Sequence, residues 1–191
     1  MIYLLTAHQF GYLVGVFYMA YIEKRQVRWS KLQECMGTLT FPIWPILLSD
    51  WFGVDQSKLF QENSIMMTIV KLPLWLIMVD QLFYWLHRMF HSYRFLYRMH
   101  KIHHEQIETI PEAALHCHIV EHVVCNMLPV LLPIYILGFS YSVAMSLIFM
   151  ASVNTVLSHG SGTYHSKHHM AQSYNFGLHL LADRMYGTYI E

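Results

Sequence analysis

The stretch "VVCNMLPVLLPIYILGFSYSVAMSLIFMASVNTVLS", residues 123–158, contains no charged side chain and decides the fold. As one straight helix, its 36 residues would extend about 54 Å, because each residue adds about 1.5 Å. The hydrocarbon core of a bilayer is only about 30 Å thick. The stretch therefore predicts a hairpin of two helices that turns near "GFS", residues 138–140. Pro129 and Pro133 fall in its first arm and predict a kink there.

The composition of the whole chain is also that of a membrane protein. Hydrophobic residues make up 55% of the 191 residues and charged residues only 13%, with a mean hydropathy of +0.32. A soluble globular domain is nearer a quarter charged. The formal net charge is zero when the histidines are neutral, so we expect no nucleic-acid partner.

Three further apolar stretches precede the hairpin. Residues 1–22 lack Asp, Glu, Lys and Arg and exceed the roughly 20 residues that a transmembrane helix needs. Residues 32–51, around the apolar run 35–49, would form a second span, and residues 64–86 a third. Together with the hairpin they predict an all-α integral membrane protein with about four to five transmembrane helices.

Basic residues predict which side of the membrane each loop faces. The loop after the first span is basic and is expected in the cytosol because of Lys24, Arg25, Arg28 and Lys31. The third span then returns the chain to the cytosol at His87, and the hairpin returns it at His159. All the histidine clusters would share the cytosolic face as a helical cap, at the endoplasmic reticulum if the source is eukaryotic.

Histidine is the unusual residue of the second half of the chain. Thirteen of the 14 histidines lie between His87 and His179. They include "HRMFH" (87–91), "HKIHH" (100–104) and "HSKHH" (165–169). Side chains three or four residues apart lie on one face of a helix, so each cluster can aim two or three imidazoles at one point. Imidazole suits zinc, copper, iron and nickel, and eight imidazoles fit two metals better than one.

Isolated histidines and the cysteines are interpreted more simply. His8, His122 and His179 are expected to be satisfied polar residues rather than ligands. Cys35, Cys117 and Cys125 form no Cys-x-x-Cys pair and are expected to be small buried residues. No Glu-x-x-His motif occurs, which argues against a ferritin-like carboxylate bundle.

The order "HRMFH", "HKIHH", "HSKHH" resembles the fatty acid hydroxylase / sterol desaturase superfamily of membrane di-iron oxygenases, over about residues 80–189. "DQLFYWLHRMFH" is similar to its first histidine box and "YRMHKIHHE" to its second. "NFGLHLLADRMYGTY", residues 175–189, is similar to its ending. The nearest branches resemble sterol C4-methyl oxidases and C5-desaturases. We accordingly expect a single domain, 1–191, with N-terminal spans in 1–79 and a catalytic region in 80–191.

The resemblance implies a set of metal ligands and supporting residues. The nine implied ligands are His87, His91, His100, His103, His104, His159, His165, His168 and His169. Some relatives carry a further histidine where this chain has Thr155, and His118 is the expected substitute as a tenth ligand. The expected supporting residues are Glu121, Asp80, Asn175 and Asp183.

The resemblance further implies O2-dependent hydroxylation, desaturation or methyl oxidation of a lipid at two iron ions. Electrons would come from outside, from cytochrome b5 or a ferredoxin-type protein, and the exposed basic residues near the boxes could dock such an acidic donor. Two alternatives stay open: a membrane zinc hydrolase and a non-catalytic metal-binding membrane protein. Zinc could also occupy the site in the purified protein.

Overall fold

The computed structural model describes residues 2–41 and 60–191. Within these ranges the chain is helical and contains no strand. The helices are α1 (Ile2–Ile22), α2 (Trp29–Glu34), α3 (Met36–Thr40), α4 (Ile65–Ser92), α5 (Arg94–His100), α6 (Ile119–Leu137), α7 (Tyr141–Ser158), α8 (Tyr164–Ala171) and α9 (Leu181–Tyr186). Short 3₁₀ turns occur at His103–Glu105 and Pro111–Ala113.

Among the described helices, α4, α6 and α7 are long and apolar enough to cross a membrane. The predicted third span and the predicted hairpin are therefore confirmed. The hairpin turns where expected: α6 ends at Leu137, Gly138 adopts a left-handed φ of +60°, and α7 begins at Tyr141. Glycine adopts this conformation at little cost, since it has no Cβ.

The two predicted N-terminal spans have different outcomes. Residues 2–22 form one 21-residue helix, α1, which is about 31 Å long, but α1 is not among the described helices that qualify as membrane spans by length and composition. The described part of the second predicted span is not continuous, because α2 ends at Glu34 and α3 begins at Met36. Most of that span, from residue 42 on, lies outside the described residues.

The irregularity predicted from Pro129 and Pro133 takes the form of a π turn. Residues His122–Met127 of α6 form this turn immediately before the segment Leu128–Leu137, which contains both prolines. Proline donates no backbone hydrogen bond to the preceding turn, and a π turn is one way in which a helix accommodates such a disruption.

Helices α1 and α7 run side by side in the same direction and contact each other at two glycines of α1. A Cβ on Gly11 would lie 2.6 Å from the carbonyl oxygen of Phe149, and one on Gly15 would lie 2.9 Å from Cβ of Val156. Small residues four apart allow two membrane helices to approach this closely. Gly11 and Gly15 therefore set the distance between the two helices.

The membrane bundle supports a cap built from α5, α8, α9 and the 3₁₀ turns. Buried Ala7, Trp75, Ile134 and Leu147 join α1, α4, α6 and α7 in one apolar cluster. At the cap end, the backbone carbonyl of Glu112 accepts a hydrogen bond from the hydroxyl of Tyr12 at 2.6 Å. The chain is thus an all-α integral membrane protein with its histidines at one end of the bundle.

The cysteines agree in part with their expected role as small buried residues. All three are free thiols; Cys35 and Cys125 are buried and Cys117 is half-buried. The Cys35 thiol donates to the backbone carbonyl of Glu112 at 3.3 Å. They pack within the fold and form no cross-link.

Candidate metal centre

The last turns of α4 carry the first two histidines of the site. His87 and His91 are four residues apart on this continuous helix, and their ring centroids lie 5.1 Å apart. The helix continues to Ser92, beyond the predicted span end at residue 86. Both rings therefore leave the membrane helix on one face, as the spacing predicts.

Each His-x-x-His-His cluster divides its imidazoles between two groups. His100 and His104 join His87, His91 and His168, which we name the five-histidine group. His165 and His169 join His103 and His159, which we name the four-histidine group.

Helix geometry explains this division. Residues four apart lie nearly above one another on a helix, whereas neighbouring residues diverge by about 100°. The first and last histidines of each cluster therefore serve one group, and the middle histidine serves the other. Of the two or three imidazoles expected to share one point, each cluster therefore contributes two to one group, and its third imidazole joins the other group.

In the five-histidine group the Nε2 atoms converge on one point. The Nε2 of His100 lies 3.1 Å from that of His87, 2.8 Å from that of His91 and 2.9 Å from that of His104. The Nε2 of His168 lies 3.0 Å from that of His91 and 3.2 Å from that of His104. Four of the five side chains are buried, and only His91 is half-buried.

The four-histidine group is arranged in the same way and is buried throughout. The Nε2 of His103 lies 3.3 Å from that of His159, 3.4 Å from that of His165 and 3.1 Å from that of His169. The two groups are in contact, since the ring centroids of His104 and His169 are 4.5 Å apart.

Backbone carbonyls fix the tautomer of most of these rings. The Nδ1–H groups of His87, His159 and His168 donate to the carbonyl oxygens of Phe176, Thr155 and Tyr174 at 2.7, 2.7 and 2.6 Å. Those of His169 and His103 donate to the carbonyls of Gln106 and His116 at 2.9 and 3.3 Å. A carbonyl only accepts, so each Nδ1 carries the proton and each neutral ring presents a bare Nε2 to the group.

The bare Nε2 atoms that face one another within each group carry no proton, so they cannot hydrogen-bond to one another. A metal cation can bind several of them at once. With metal–nitrogen bonds of about 2.1 Å, neighbouring ligands of an octahedron are about 3.0 Å apart and those of a tetrahedron about 3.4 Å. The quoted Nε2–Nε2 distances, from 2.8 to 3.4 Å, lie within this range or just below it. Burial lowers the pKa of His103 to about 3 and that of His159 to about 4, so both are neutral at physiological pH, as a ligand must be.

Of the four expected supporting residues, Glu121 makes direct contact with a metal-group histidine. Its Oε1 accepts the Nδ1–H of His100 at 2.7 Å, and both side chains are buried. This is the carboxylate–histidine arrangement that commonly orients a ligand in metal sites.

Asp80, Asn175 and Asp183 act one step further away, on the C-terminal backbone between residues 175 and 190. Asp183 accepts the N–H groups of Phe176 and Gly177 at 2.9 and 2.6 Å, and Asp80 accepts those of His179 and Ala182 at 2.7 and 2.8 Å. Asn175 has a left-handed φ of +57° and accepts the N–H of Ile190 at 2.9 Å. These residues hold the two carbonyls that orient His87 and His168.

His118, the expected tenth ligand, does not reach either group. Its Nδ1 accepts the backbone N–H of Val120 at 3.2 Å, and it caps the first turn of α6. In this structure the His118 ring therefore caps its own helix and belongs to neither group. Thr155, where a relative would carry a histidine, instead provides the carbonyl for His159.

The three isolated histidines lie outside both groups. His179 is exposed, and His8 bonds to Ser152 Oγ through Nδ1 at 2.7 Å. His122 is fully buried, and neither of its ring nitrogens has a hydrogen-bond partner among the described residues. It belongs to neither metal group, and a partner that would make it a satisfied polar residue is not found in this part of the chain.

Two spaces adjoin the histidine groups. A cavity of about 100 Å³ touches His87, His100, His103, His159 and His165, and its other walls include Phe83, Thr155 and Leu178. A more open cleft of about 400 Å³ reaches His91 from the outside between Arg88, Tyr97 and Thr188. The site is thus bordered by a small space with polar and apolar walls and by a more open polar cleft.

Sequence comparison identifies a protein family whose model matches this chain. The model of the family described as "Fatty acid hydroxylase" matches residues 72–188, more than half of the chain. The chain belongs to the fatty acid hydroxylase family. The match spans α4 to α9 and all nine histidines, and it confirms the resemblance inferred from the histidine boxes.

Individual relatives of the fatty acid hydroxylase family agree. "Fatty acid hydroxylase domain-containing protein 2" is 25% identical in Macaca fascicularis over 86% of this chain, and 30% identical in Homo sapiens over 63%. "Delta(7)-sterol 5(6)-desaturase" of Leptosphaeria maculans is 28% identical over 83% of this chain. These alignments cover 51%, 38% and 50% of the three relatives, so the chain spans about half their length or less. No solved structure matches.

Sequence reasoning missed the backbone atoms that orient the ligands. These backbone carbonyls belong to residues whose side chains have no chemistry in common: Gln106, His116, Tyr174 and Phe176. Every residue has such a carbonyl, so no residue type marks these positions. Only the turn Asn175–Phe176–Gly177 is marked in the sequence, by its glycine. A Cβ on Gly177 would lie 2.7 Å from Asp183 Oδ2, so this position needs a residue without a side chain.

Proposed function

We propose that this protein oxidises a membrane lipid with O2, by hydroxylation, desaturation or methyl oxidation, at two iron ions held by the two histidine groups. The observation that carries the proposal is the convergence of nine imidazoles into adjacent groups of five and four. Membership of the fatty acid hydroxylase family and similarity to proteins named as sterol desaturases support this class of reaction.

The donor set favours iron over zinc. Imidazole nitrogens alone do not separate the two metals. Zinc sites, however, almost always have four ligands in structural sites and three plus water in catalytic ones. Five Nε2 atoms around one point exceed both counts and fit a six-coordinate ion with one position left for another ligand. When bound, the two ions would supply O2 activation.

The protein's own residues would position the ions and the lipid. Glu121 and the carbonyls of Phe176 and Tyr174 hold the rings of His100, His87 and His168 with their Nε2 atoms aimed inward. Phe83 and Leu178 give the small cavity an apolar wall, which would favour a lipid chain and exclude water. In hydroxylation, one oxygen atom enters a C–H bond and the other leaves as water, using two external electrons and two protons.

The half-buried His91 is the proposed entry point for electrons. It lies at the inner end of the cleft that contains Arg88, and the exposed basic residues nearby are Arg94, Arg98 and Lys101. A basic face of this kind suits an acidic donor such as cytochrome b5 or a ferredoxin. We propose that this face is cytosolic, at the endoplasmic reticulum in a eukaryotic cell, from the basic loop after α1.

The proposal is tested by following oxygen into lipid. The full chain is reconstituted in nanodiscs with iron, reduced donor and ¹⁸O₂, and the extracted lipids are analysed by mass spectrometry. We expect either an ¹⁸O-labelled alcohol or a lipid lacking two hydrogens. A His103→Ala/His168→Ala double variant, which removes one ligand from each group, should form neither product, whereas His179→Gln should form the wild-type product at the wild-type level.

The same experiment separates the alternatives. Lipid cleavage that proceeds without O2 and with zinc bound would favour a zinc hydrolase. A folded, metal-loaded protein that converts no lipid in a broad screen would favour a non-catalytic metal-binding protein. Either result would overturn the oxygenase proposal.

A further inference from the structure

A second histidine pair lies inside the helix bundle, separate from the nine metal-group histidines. His122, in the π turn of α6, is 0% exposed, and the ring of His8 from α1 is its neighbour at 5.8 Å between centroids. Of their four ring nitrogens, His8 Nδ1 is hydrogen-bonded, to Ser152 Oγ of α7 at 2.7 Å. His8 Nε2 and both nitrogens of His122 are buried without a protein partner among the described residues.

A purely structural role accounts for only part of this pair. The bond from His8 to Ser152 joins α1 to α7, as polar side chains often do between membrane helices. No such bond involves the ring of His122. Ionisable side chains within a membrane segment are costly and are usually functional, and π turns occur frequently at functional sites.

The hydrogen bonds of Ser152 define what a ligand must offer. The Ser152 hydroxyl donates to the carbonyl of Ile148 at 2.8 Å, so its oxygen accepts from His8 Nδ1–H. The neutral His8 ring therefore presents a bare Nε2, which needs a donor. Neutral His122 presents one N–H and one bare nitrogen.

A hydroxyl group serves both kinds of nitrogen, because it donates to His8 Nε2 and accepts from the N–H of His122. The second, bare nitrogen of His122 is left for another donor. A carboxylate only accepts, and it would leave His8 Nε2 without a donor. An ammonium group only donates, and it would leave the His122 N–H unpaired. A charged group is also costly in this apolar bundle.

The pair lies close to the cavity beside the metal groups. Cys125 and Asn126, about one turn along α6 from His122, line that cavity, as does Thr155, one turn along α7 from Ser152. We infer that His8 and His122 bind the hydroxyl group of a lipid alcohol whose chain extends toward the histidine groups. That this lipid is the substrate rests on the proposed function, whereas its binding does not.

The inference is tested by competition for a photoreactive probe. The full chain in nanodiscs is labelled with a diazirine-bearing long-chain alcohol, and unlabelled 1-hexadecanol, its methyl ether and hexadecanoate compete. In the wild type, we expect hexadecanol to halve labelling at about one-tenth the mole fraction that the ether or the carboxylate requires, the effect of about one hydrogen bond.

The variants remove the ring nitrogens but keep an aromatic ring. His122→Phe and His8→Phe should bring the ratio of alcohol to ether close to one, and the exposed His179→Gln should keep it at about ten. If His122→Phe does not fold, His8→Phe decides by the same ratio. An equal effect of alcohol and ether on the wild type would mean that the pair holds only water, and would overturn the inference.

Repeating the competition on metal-depleted protein separates this inference from the proposed function. A tenfold ratio that survives metal depletion would show that binding is independent of the metals. The same ratio in metal-loaded protein without oxygenase activity would overturn the oxygenase proposal and keep the hydroxyl site. An active oxygenase with the same ratio in wild type and His122→Phe would do the reverse.

Discussion

At the scale of single residues, the most informative pair is His103 and His104. They are neighbours in the chain, yet their Nε2 atoms belong to different groups. The reason is the angle of about 100° between successive residues in a helical turn. Adjacent histidines of one cluster therefore cannot bind the same ion.

This division predicts a separable loss of metal. His104→Ala should reduce the five-histidine group to four ligands and His103→Ala the four-histidine group to three. Each variant should lower the metal content by about one ion per chain, and the double variant by about two, because a structural site rarely survives with a ligand missing. Metal analysis of purified protein with protein quantification checks this.

The control is His116→Gln, which changes a histidine of the same region whose side chain lies outside both groups. It should leave the metal content unchanged. If the spectra of metal-loaded His103→Ala and His104→Ala were identical, both variants would have lost the same ion. The assignment of these histidines to two groups would then be wrong.

The three clusters, which are rare and regularly spaced, singled out eight of the nine histidines, and the resemblance to the family implied the ninth, His159. The sequence did not predict which nitrogen of each ring faces inward. That choice depends on carbonyls such as those of Gln106 and Tyr174, which lie on loops whose course no local pattern specifies. The sequence also could not indicate that His118, the expected tenth ligand, caps the start of α6 with its ring.

At the scale of secondary-structure elements, buried Glu112 connects the ends of α1 and α2. Its carboxylate accepts hydrogen bonds from the Arg25 guanidinium and, at 2.9 Å, from the backbone N–H of Arg28. Burial alone would raise the pKa of Glu112, but these hydrogen bonds hold the pKa below its ordinary value of 4.5.

A lowered carboxyl pKa gives the stability of the protein a defined pH dependence. The contribution of ionised Glu112 should be fully present above about pH 4.5 and should be lost as the pH falls through its lower folded pKa. Glu112→Gln should therefore destabilise the protein by about 1–3 kcal/mol at pH 7, and the difference from wild type should shrink in more acidic solution. Thermal unfolding in detergent at several pH values measures it.

Exposed Glu108 provides the matched control, and Glu108→Gln should leave the unfolding midpoint almost unchanged. A Glu112→Gln penalty that stays constant from pH 7 to strongly acidic solution would contradict the account, because it would show that the charge of Glu112 contributes nothing.

The contact between α1 and α7 gives a second prediction for the elements. Gly11→Ala would place its Cβ against the Phe149 carbonyl, so the helices must separate, at a cost of about 1–3 kcal/mol. Gly37→Ala, in α3, meets nothing within 4 Å and should be neutral or slightly stabilising. Thermal unfolding of the two variants compares them, and equal midpoints would exclude the close contact.

The helices were predictable where their lengths match a membrane. A charge-free stretch that is too long for one span predicts the α6–α7 hairpin, and the apolar run 64–86 predicts α4. The sequence does not show that α1 packs against α7, because this contact joins distant parts of the chain. Gly11 and Gly15, four residues apart, indicate only that α1 packs closely against some helix. The contact of Asp80 with residues 179 and 182 could not be predicted, because it joins a membrane helix to backbone amides about 100 residues later.

At the scale of the whole molecule, the chain joins a membrane bundle to a compact cap. The small cavity and the cleft at His91 approach the histidine groups from different surroundings. This separation would let a lipid and an electron donor reach the same centre without competing for space.

The exposed basic residues of this end predict how the donor is recognised. Arg94, Arg98 and Lys101 follow one another at spacings of four and three residues, which places them on one face of α5 and its C-terminal end. Arg94→Glu/Arg98→Glu should raise the KM for reduced cytochrome b5 about tenfold or more at low salt, with unchanged metal content. Steady-state kinetics against donor concentration measure this.

Lys24→Glu, an exposed charge reversal next to the end of α1, is the control and should change the KM by less than about twofold. Salt should weaken the wild-type interaction and leave the double variant less affected, since exposed charges are screened. An unchanged KM in Arg94→Glu/Arg98→Glu would place the donor on another surface.

The central claim is that the nine histidines hold two iron ions, and counting metals per chain tests it most directly. The protein would be expressed with added iron, purified in nanodiscs, and analysed for iron and zinc beside the His103→Ala/His168→Ala variant. The account predicts about two irons per wild-type chain and almost none in the variant. Two zinc ions that iron cannot replace under anaerobic reconstitution, or no stoichiometric metal in well-folded protein, would contradict it.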